Sequence, residues 1–585
     1  MDSLKQLRWY SLAVVLCSVL AGAAYLYLIP QTTSLVIDDQ EQDVPSIPSD
    51  FYREWNVGTL SLDLKFQLHN IYPRRFSLYV DACLKKLLLN GHYISVPKLD
   101  CTDLQIAPID IGEYLQPGEN TLSTSLNNRG GWVGLILFPS LSDRFIVAIA
   151  FLLFVLPLLC IAIRFRGELK PHFWGMAAVL GLGSLWRFAY VVSTPLTLRQ
   201  HDIDAHTEYI SWVLQNWSIP DFADGQAFFH PPLYYFLCAL LMKFCLALGL
   251  SQAMELPITQ VLSFVISTTT LLVVGAISCV ALPEVRRRWL RLLFVGLIAF
   301  LPGAVFQCAR IHNDPPAQLL IFCSILSLAQ WWHGHGKHYW LRAVLFTALA
   351  CLTKMTAASI LGPLFILCLL NDREKIGVKF RQASTALIIL AVSLGGFLWL
   401  RHLEGQKYVV GNIENNNPIL FSKDDFYSFT VLNPLKTLEF IYNDPWADNA
   451  RRRFMWEYTL RSALFGEYKF PAHIAWASSG MLLAALQLLL LGVWGLYREI
   501  KCNWRESAVW WSVLLCGCLS KVLIRLAHAN GGLADFRYTV FLALPVAYFV
   551  VKGVEHSRPN FKTVGTYLCL LFTTLCAIFL TYLWH

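Results

Sequence analysis

Apolar runs of membrane length recur from one end of this chain to the other, and they limit its architecture more than any other feature. A helix crosses the hydrocarbon core of a bilayer with about 17–25 predominantly apolar residues, and all of its backbone polar groups are satisfied internally. Spans are read near 11–30, 145–163, 173–192, 258–281, 289–305, 317–332, 341–352, 356–370, 382–400, 475–496, 507–526, 538–553 and 563–583, thirteen in all, some of them shorter than that length. Of the 585 residues 56% are hydrophobic and only 15% charged, with mean hydropathy +0.49. Soluble domains carry about a quarter charged residues, so a soluble enzyme is excluded and a polytopic α-helical membrane protein is expected.

The net charge of +8 matters less than where Lys and Arg stand. With the first end cytoplasmic, the short inside loops hold Lys5/Arg8, Arg164/Arg166/Lys170, Arg286–Arg288 with Arg291, Lys337/Arg342, Arg373–Arg381, Arg498/Lys501/Arg505 and Lys552/Arg558/Lys562. All are basic, as the positive-inside bias requires. The apolar stretch 233–249 breaks this alternation as a span and is read as an interfacial helix on the outer face. The first run is read as an uncleaved anchor over residues 1–30. A cleaved signal peptide is the alternative, because "LAGAAY" offers small residues.

Residues 31–144 read as an extracytoplasmic β-sandwich. "TLSLDLKFQLH" puts Leu60, Leu62, Leu64, Phe66 and Leu68 on one face of a strand, and Asn90–Gly91 between two apolar runs marks a hairpin. Of the 16 cysteines, Cys83 and Cys101 fall in this segment and are placed to pair in an oxidising compartment. The segment resembles the sugar-binding jelly-roll domains attached to many glycoside-processing enzymes, in "VDACLKKLLLNG", "YLQPGEN" and "NNRGGW". A purely structural sandwich is the alternative. A second outer region, 401–473, is read as a loop with interfacial helices, and "WWHGHGKH" (331–338) as a solvated loop rather than a metal site.

The chemistry is expected where ionisable residues interrupt apolar sequence. "RQHDIDAHTEYISWVLQNW" (199–217) follows the third span, within an outer loop over 193–257, and packs Asp202, Asp204, His206 and Glu208 into seven residues. As a helix it places His206 one turn after Asp202, with Tyr209 and Val213 on the same face. "FFHPPLYYFL" brings His230 and Tyr234 beside a diproline that fixes a helix start. "ARIHNDPPAQ" carries Arg310, Asn313 and Asp314, and "CLTKMTAAS" carries Lys354 inside a membrane hairpin. An intramembrane lysine costs roughly 2.5–3.5 kcal/mol to insert, so a functional role is the default reading and end-of-helix snorkelling the alternative. "HANGGLADFRYTVF" adds Arg537 and Tyr538 at a span end. The topology gathers these groups on one side. Carboxylates beside cations suit a substrate with a phosphate and a hydroxyl nucleophile: cations bind phosphate oxygens, and a carboxylate takes the hydroxyl proton.

In this order, "HDIDAHTEYI", "HPPLYY", "HND" and "LTK" resemble the landmarks of the GT-C membrane glycosyltransferases, especially the protein O-mannosyltransferase branch and its relatives such as the lipid A aminoarabinose transferase. The resemblance covers residues 145–585, with catalytic-core helices to about 400 and further spans over 474–585. It implies inverting transfer of a sugar from a polyprenyl-phosphate donor to a protein, lipid or glycan acceptor on the extracytoplasmic face. It assigns the base or acceptor-orienting role to Asp202, with Asp204 competing because the family often shows Asp-Glu here. Lys354, Arg537 and Arg310 would hold the donor phosphate. His206, Tyr209, His230, Tyr234, Asn313, Asp314 and Tyr538 would line the substrate site. No cofactor is expected; a divalent metal at Asp202, Asp204 and His206 is the disfavoured option. The bilayer is a partner and nucleic acid is not. A single outer sequon, Asn216-Trp217-Ser218, favours a bacterial inner membrane over the endoplasmic reticulum. A transporter or flippase for a lipid-linked sugar is the competing class, but the two halves show no repeat.

Overall fold

The computed structural model describes residues 2–42, 51–55, 58–96, 105–128, 131–165, 171–194, 199, 202–250, 254–283, 287–405, 454–468, 470, 472–527 and 531–583. Strict period-two patterning near the N-terminal end yields strands, namely β1 (Gln31–Ile37), β2 (Gln40–Gln42), β3 (Phe51–Trp55), β4 (Gly58–Leu68), β5 (Arg75–Asp81), β6 (Cys83–Leu89), β7 (His92–Tyr93), β8 (Gln105–Asp110), β9 (Gly118–Asn128) and β10 (Gly131–Pro139). They form two antiparallel sheets in the orders β2-β1-β4-β9-β6-β7 and β3-β10-β5-β8. Leu60, Leu62, Leu64, Phe66 and Leu68 all point into the core between the sheets, where they meet Phe76, Leu78 and Leu137. Burying each such side chain contributes about 1.5–3 kcal/mol. Asn90 and Gly91 both adopt positive φ (51° and 83°), as a tight primed hairpin turn requires. Cys83 is disulfide-bonded, while Cys101 lies outside the described residues.

One carboxylate joins the sandwich to the membrane helices. Asp143 Oδ1 accepts from the Phe145 N–H, capping the helix that follows, and its Oδ2 accepts from the Arg74 and Arg75 N–H groups at 2.8 and 3.2 Å.

The helices are α1 (Asp2–Leu28), α2 (Arg144–Arg164), α3 (Pro171–Val192), α4 (Ile203–Asn216), α5 (Leu233–Ala247), α6 (Glu255–Ala281), α7 (Arg288–Ala299), α8 (Pro302–Val305), α9 (Asp314–Trp332), α10 (His338–Thr353), α11 (Leu361–Leu370), α12 (Ile376–Leu403), α13 (Met455–Phe465), α14 (Ala475–Asn503), α15 (Ala508–Ala527), α16 (Ala543–His556) and α17 (Pro559–Tyr582). Among the described residues nine helices are long and apolar enough to cross a bilayer, or ten if the bent pair Arg288–Ala299 and Pro302–Ala309 is one span. The protein is therefore a multi-pass membrane protein.

Three of the thirteen expected runs, 317–332, 341–352 and 356–370, fall short of this length and apolarity, for a local reason. α9 is diluted by two prolines and two glutamines, α10 is only 16 residues long, and the stretch after it opens with a 3-10 turn at Met355–Ile360. The stretch 233–249 forms the short helix α5. It buries Tyr235, Cys238 and Ala239 on one face and exposes Leu237, Leu240 and Phe244 on the other. The interfacial helix expected within 401–473 is, over its described part, a buried one: α13 encloses Glu457, Tyr458 and Arg461 completely. The rest of that loop, 406–453, lies outside the described residues.

Polar side chains fasten the bundle. Arg187 on α3 is buried and donates to the Gly183 and Ala299 carbonyls, both at 2.9 Å, and to Ser267 Oγ at 3.1 Å, linking α3, α6 and α7. Near the other end of α6, Gln260 Nε2 donates to Thr194 O and Ala309 O at 3.1 and 3.3 Å. That second tie positions the loops of the candidate site.

Candidate functional site

The chain bends by 67° between α7 and α8, at Leu301–Pro302. The bend depends on a close approach. A Cβ on Gly303 would stand 2.8 Å from both Ala463 O and the Phe536 ring. Beyond it the segment 306–314 turns inward, so Arg310, His312, Asn313 and Asp314 are all buried rather than displayed on an outer loop. Asn313 Nδ2 donates to Thr353 O at 3.2 Å and thereby holds the start of α9 against the end of α10.

Lys354 sits where α10 stops, in extended conformation (φ −156°, ψ 123°), with its side chain buried. Its ammonium donates to Asp314 Oδ1 and lies 4.7 Å above the Tyr538 ring. The other Asp314 oxygen is 3.0 Å from His312 Nδ1. His312 Nδ1 accepts from the Asp314 N–H at 3.2 Å, and Asp314 Oδ2 is left without a hydrogen-bond partner among the described residues, so the Lys354 ammonium is the charge that matches this carboxylate; either charge alone would be strongly unfavourable there.

Arg537 opens the 3-10 segment Phe536–Leu542, whose preceding Asp535 caps it by accepting from the Arg537 N–H. The guanidinium pairs with Asp202 Oδ2 at 3.7 Å and Asp535 Oδ2 at 3.4 Å, and donates to the Tyr538 hydroxyl at 3.0 Å. Its Nη1 is buried without a hydrogen-bond partner among the described residues. Arg310 repeats this condition. Its Nη2 donates to the Tyr468 hydroxyl at 2.6 Å, while Nε and Nη1 are buried and unanswered. Tyr468 in turn donates to Arg199 O at 2.7 Å. Leaving a buried donor unmade costs roughly 1–3 kcal/mol, more when it is charged, so orphan guanidinium donors mark a place suited to an anion.

Asp202 and Asp204 separate clearly. Asp202 precedes α4 in the left-handed region (φ 56°, ψ 28°), with a side chain 59% exposed yet tied to Arg537. Asp204 is exposed and makes no ion pair among the described residues. Asp202, Asp204 and His206 thus point to different surroundings, and they do not converge as a ligand set. Among the described residues no group of three His, Cys, Asp or Glu has the geometry to hold a metal.

The expected helical face of 203–216 is realised: Ala205, His206, Tyr209, Ile210 and Val213 are its buried side. His206 packs 3.9 Å from the His312 ring and 5.5 Å from the His230 ring, centroid to centroid, and its Nδ1 shares a hydrogen bond of 2.8 Å with the Tyr235 hydroxyl. Burial holds His206 and His230 well below the usual imidazole range and brings His312 down to about 4, so all three are neutral at pH 7. His230 is placed by Arg401 at the end of α12, which donates to Pro220 O and Phe228 O, and by Tyr209, whose hydroxyl reaches His230 O at 3.4 Å.

Of the residues singled out from sequence, Asp202, His206, Tyr209, His230, Asn313, Asp314, Lys354, Arg537 and Tyr538 are brought into one connected cluster, with Arg310 beside it. Asp204 and Tyr234 are not. Tyr234 is buried and turns toward Cys238, while its neighbour Tyr235 takes the site position. His312, Tyr235, Asp535, Tyr468 and Arg401 join this cluster although the sequence did not single them out as candidates. His312 stood inside "ARIHNDPPAQ" beside two residues that were singled out. For Tyr235 nothing in "LYY" distinguishes the two tyrosines, since both are buried.

Below the cluster an apolar cavity of about 500 Å³ lies among α7, α13, α14, α15 and α16. Phe536 and Thr539, which line it, flank Arg537 and Tyr538 in sequence.

No protein-family model matches this chain, and no curated protein matches its sequence. Among solved structures, arabinosyltransferase EmbB from Mycobacterium smegmatis aligns over 96% of this chain and 54% of its own, at 10% identity and a TM-score of 0.35. The chain thus spans about half the length of that protein. A likeness so loose carries no argument about chemistry, which is read here from the side chains.

Proposed function

We propose that the protein transfers a sugar from a polyprenyl-phosphate carrier to an acceptor hydroxyl. The observation that carries this reading is Arg537. One buried guanidinium holds the accessible carboxylate Asp202 while keeping an unanswered donor, with Arg310 in the same state nearby. In the proposed step Asp202 takes the proton of the acceptor hydroxyl as its oxygen attacks the anomeric carbon. The bond from that carbon to the phosphate oxygen breaks, and the leaving polyprenyl phosphate keeps the electron pair. Displacement from the opposite side inverts the anomeric configuration. Arg537, Arg310 and the remaining N–H groups of Lys354 bind the phosphate oxygens and stabilise the charge that develops on them. Asp314 holds Lys354 in place. The neutral histidines His206 and His230 are suited to hydrogen bonding sugar hydroxyls. The apolar cavity beside Phe536 fits the first isoprene units of the carrier.

The basic loops favour an extracytoplasmic active site, and one sequon favours a bacterial inner membrane. A protein, lipid or glycan acceptor fits a site built for phosphate and hydroxyl, and the mechanism asks for no metal.

The test is turnover by full-length protein supplied with labelled polyprenyl-phosphate sugars and an extract of its own membrane as acceptor. Asp202→Asn is expected to lower kcat by about 100-fold or more, with donor KM within about three-fold of wild type, and Asp204→Asn to leave both unchanged. Wild-type turnover in Asp202→Asn would remove the assignment. Movement of the labelled lipid across vesicles without release of polyprenyl phosphate would mean a transporter instead.

A further inference from the structure

The end of the bundle remote from the candidate site holds a second polar cluster that sugar transfer does not use. The span Phe536–His556 has 21 residues, so about 30 Å of helix separates Arg537 from His556. At this far end the buried acids Glu499 and Glu555 are both matched. Glu499 pairs with Lys552 at 3.2 Å, meets His556 Nε2 at 2.6 Å and accepts from the Tyr548 hydroxyl. Glu555 pairs with Lys552 at 2.9 Å and Arg287 at 2.5 Å.

Two arginines beside this network are left over. Arg498 on α14 stacks 5.5 Å over the Trp494 ring, and its Nε is buried without a hydrogen-bond partner among the described residues. Arg558, just before α17, is exposed and makes no ion pair among the described residues. Both line one cavity of about 590 Å³, together with the polar residues Gln487, His556 and Ser557. Its other wall is apolar, built from Leu491, Val564, Phe561 and Leu568. Trp494, Phe561 and Val564 are 41%, 66% and 62% exposed, so this wall runs out onto the surface that the helices present to lipid tails.

Two arginines at the rim with no ion pair among the described residues, and an apolar wall open to the bilayer, fit a ligand with an anionic head and hydrocarbon tails. A free anion would satisfy only the first. We propose that this cavity binds the phosphodiester head of an anionic glycerophospholipid, with an acyl chain along Leu491 and Val564. Basic pockets between transmembrane helices recognise such head groups by the same charge pairing. The proposal does not rest on the transfer reading.

The test uses the full-length protein in nanodiscs of dioleoyl phosphatidylcholine to which dioleoyl phosphatidylglycerol is added, with retained lipid counted by native mass spectrometry. The wild type is expected to retain phosphatidylglycerol preferentially, and Arg498→Gln with Arg558→Gln to cut that preference by about thirty-fold. Arg498→Lys with Arg558→Lys keeps the charge and is expected to keep most of the preference, which separates loss of charge from loss of fold. Equal retention of the two lipids by the wild type overturns the proposal. So does full displacement of phosphatidylglycerol by millimolar inorganic phosphate, which would mark a site for a free anion.

Discussion

An ammonium buried as deeply as that of Lys354 requires a counter-charge, and Asp314 supplies it. Both residues could be read from the sequence, because a charge inside an apolar run has few bland explanations. Their pairing could not, since 40 residues separate them and only the turn after Gly303 brings Asp314 inward. Removing one member leaves the other charge buried and unmatched, at roughly 3–5 kcal/mol. Lys354→Met and Asp314→Asn should therefore each lower the thermal midpoint of the purified protein. The double variant should lose clearly less than the two losses added, which a double-mutant cycle measures directly. Additive losses would mean that the two side chains do not act as a pair. His312 escaped notice for the opposite reason: a single histidine beside charged residues carries no signal until its ring is seen against His206.

At the scale of elements, helix packing rests on small residues where backbones meet. A Cβ on Gly495 of α14 would fall 1.9 Å from Phe549 O, and one on Gly553 of α16 would fall 2.2 Å from Leu491 O. Membrane helices use such residues to bring backbones together, and here they fix α14 against the span that carries Arg537 at its far end. Gly553→Ala should cost about 1–3 kcal/mol of stability or more, seen as a lowered thermal midpoint, whereas Gly377→Ala, which meets nothing within 4 Å, should be neutral. A silent Gly553→Ala would disprove the close contact. The strands of the sandwich were legible because alternation with period two is a strong signal over eleven residues, as in β4. The segment 314–370 was harder. Its helices are short, one is interrupted at Lys354, and buried polar residues within them weaken the apolar signal used to count spans.

For the whole molecule, the three neutral histidines make stability depend on pH in a predictable sense. An unfolded histidine titrates near 6.5, whereas folded His312 titrates at about 4 and His206 and His230 lie well below their usual range. Between pH about 6.5 and 4 the unfolded chain binds protons that the folded chain refuses. Stability therefore rises with pH across this window, is fully present above about 6.5, and is lost as pH falls. Melting at pH 7.5 and pH 5 should show a lower midpoint at the acid value. His312→Gln should show a smaller difference between the two, and an unchanged difference would exclude His312 as a contributor.

In the proposed reaction Asp202 and the cations around it act on a polyprenyl-phosphate sugar. The most direct measurement is mass spectrometry of lipids that co-purify with the protein from its native membrane, wild type beside Asp202→Ala. A polyprenyl-phosphate sugar should be held by the variant in excess over the wild type, because donor still binds but its sugar is not passed on. Absence of any polyprenyl-phosphate lipid from both proteins would contradict it.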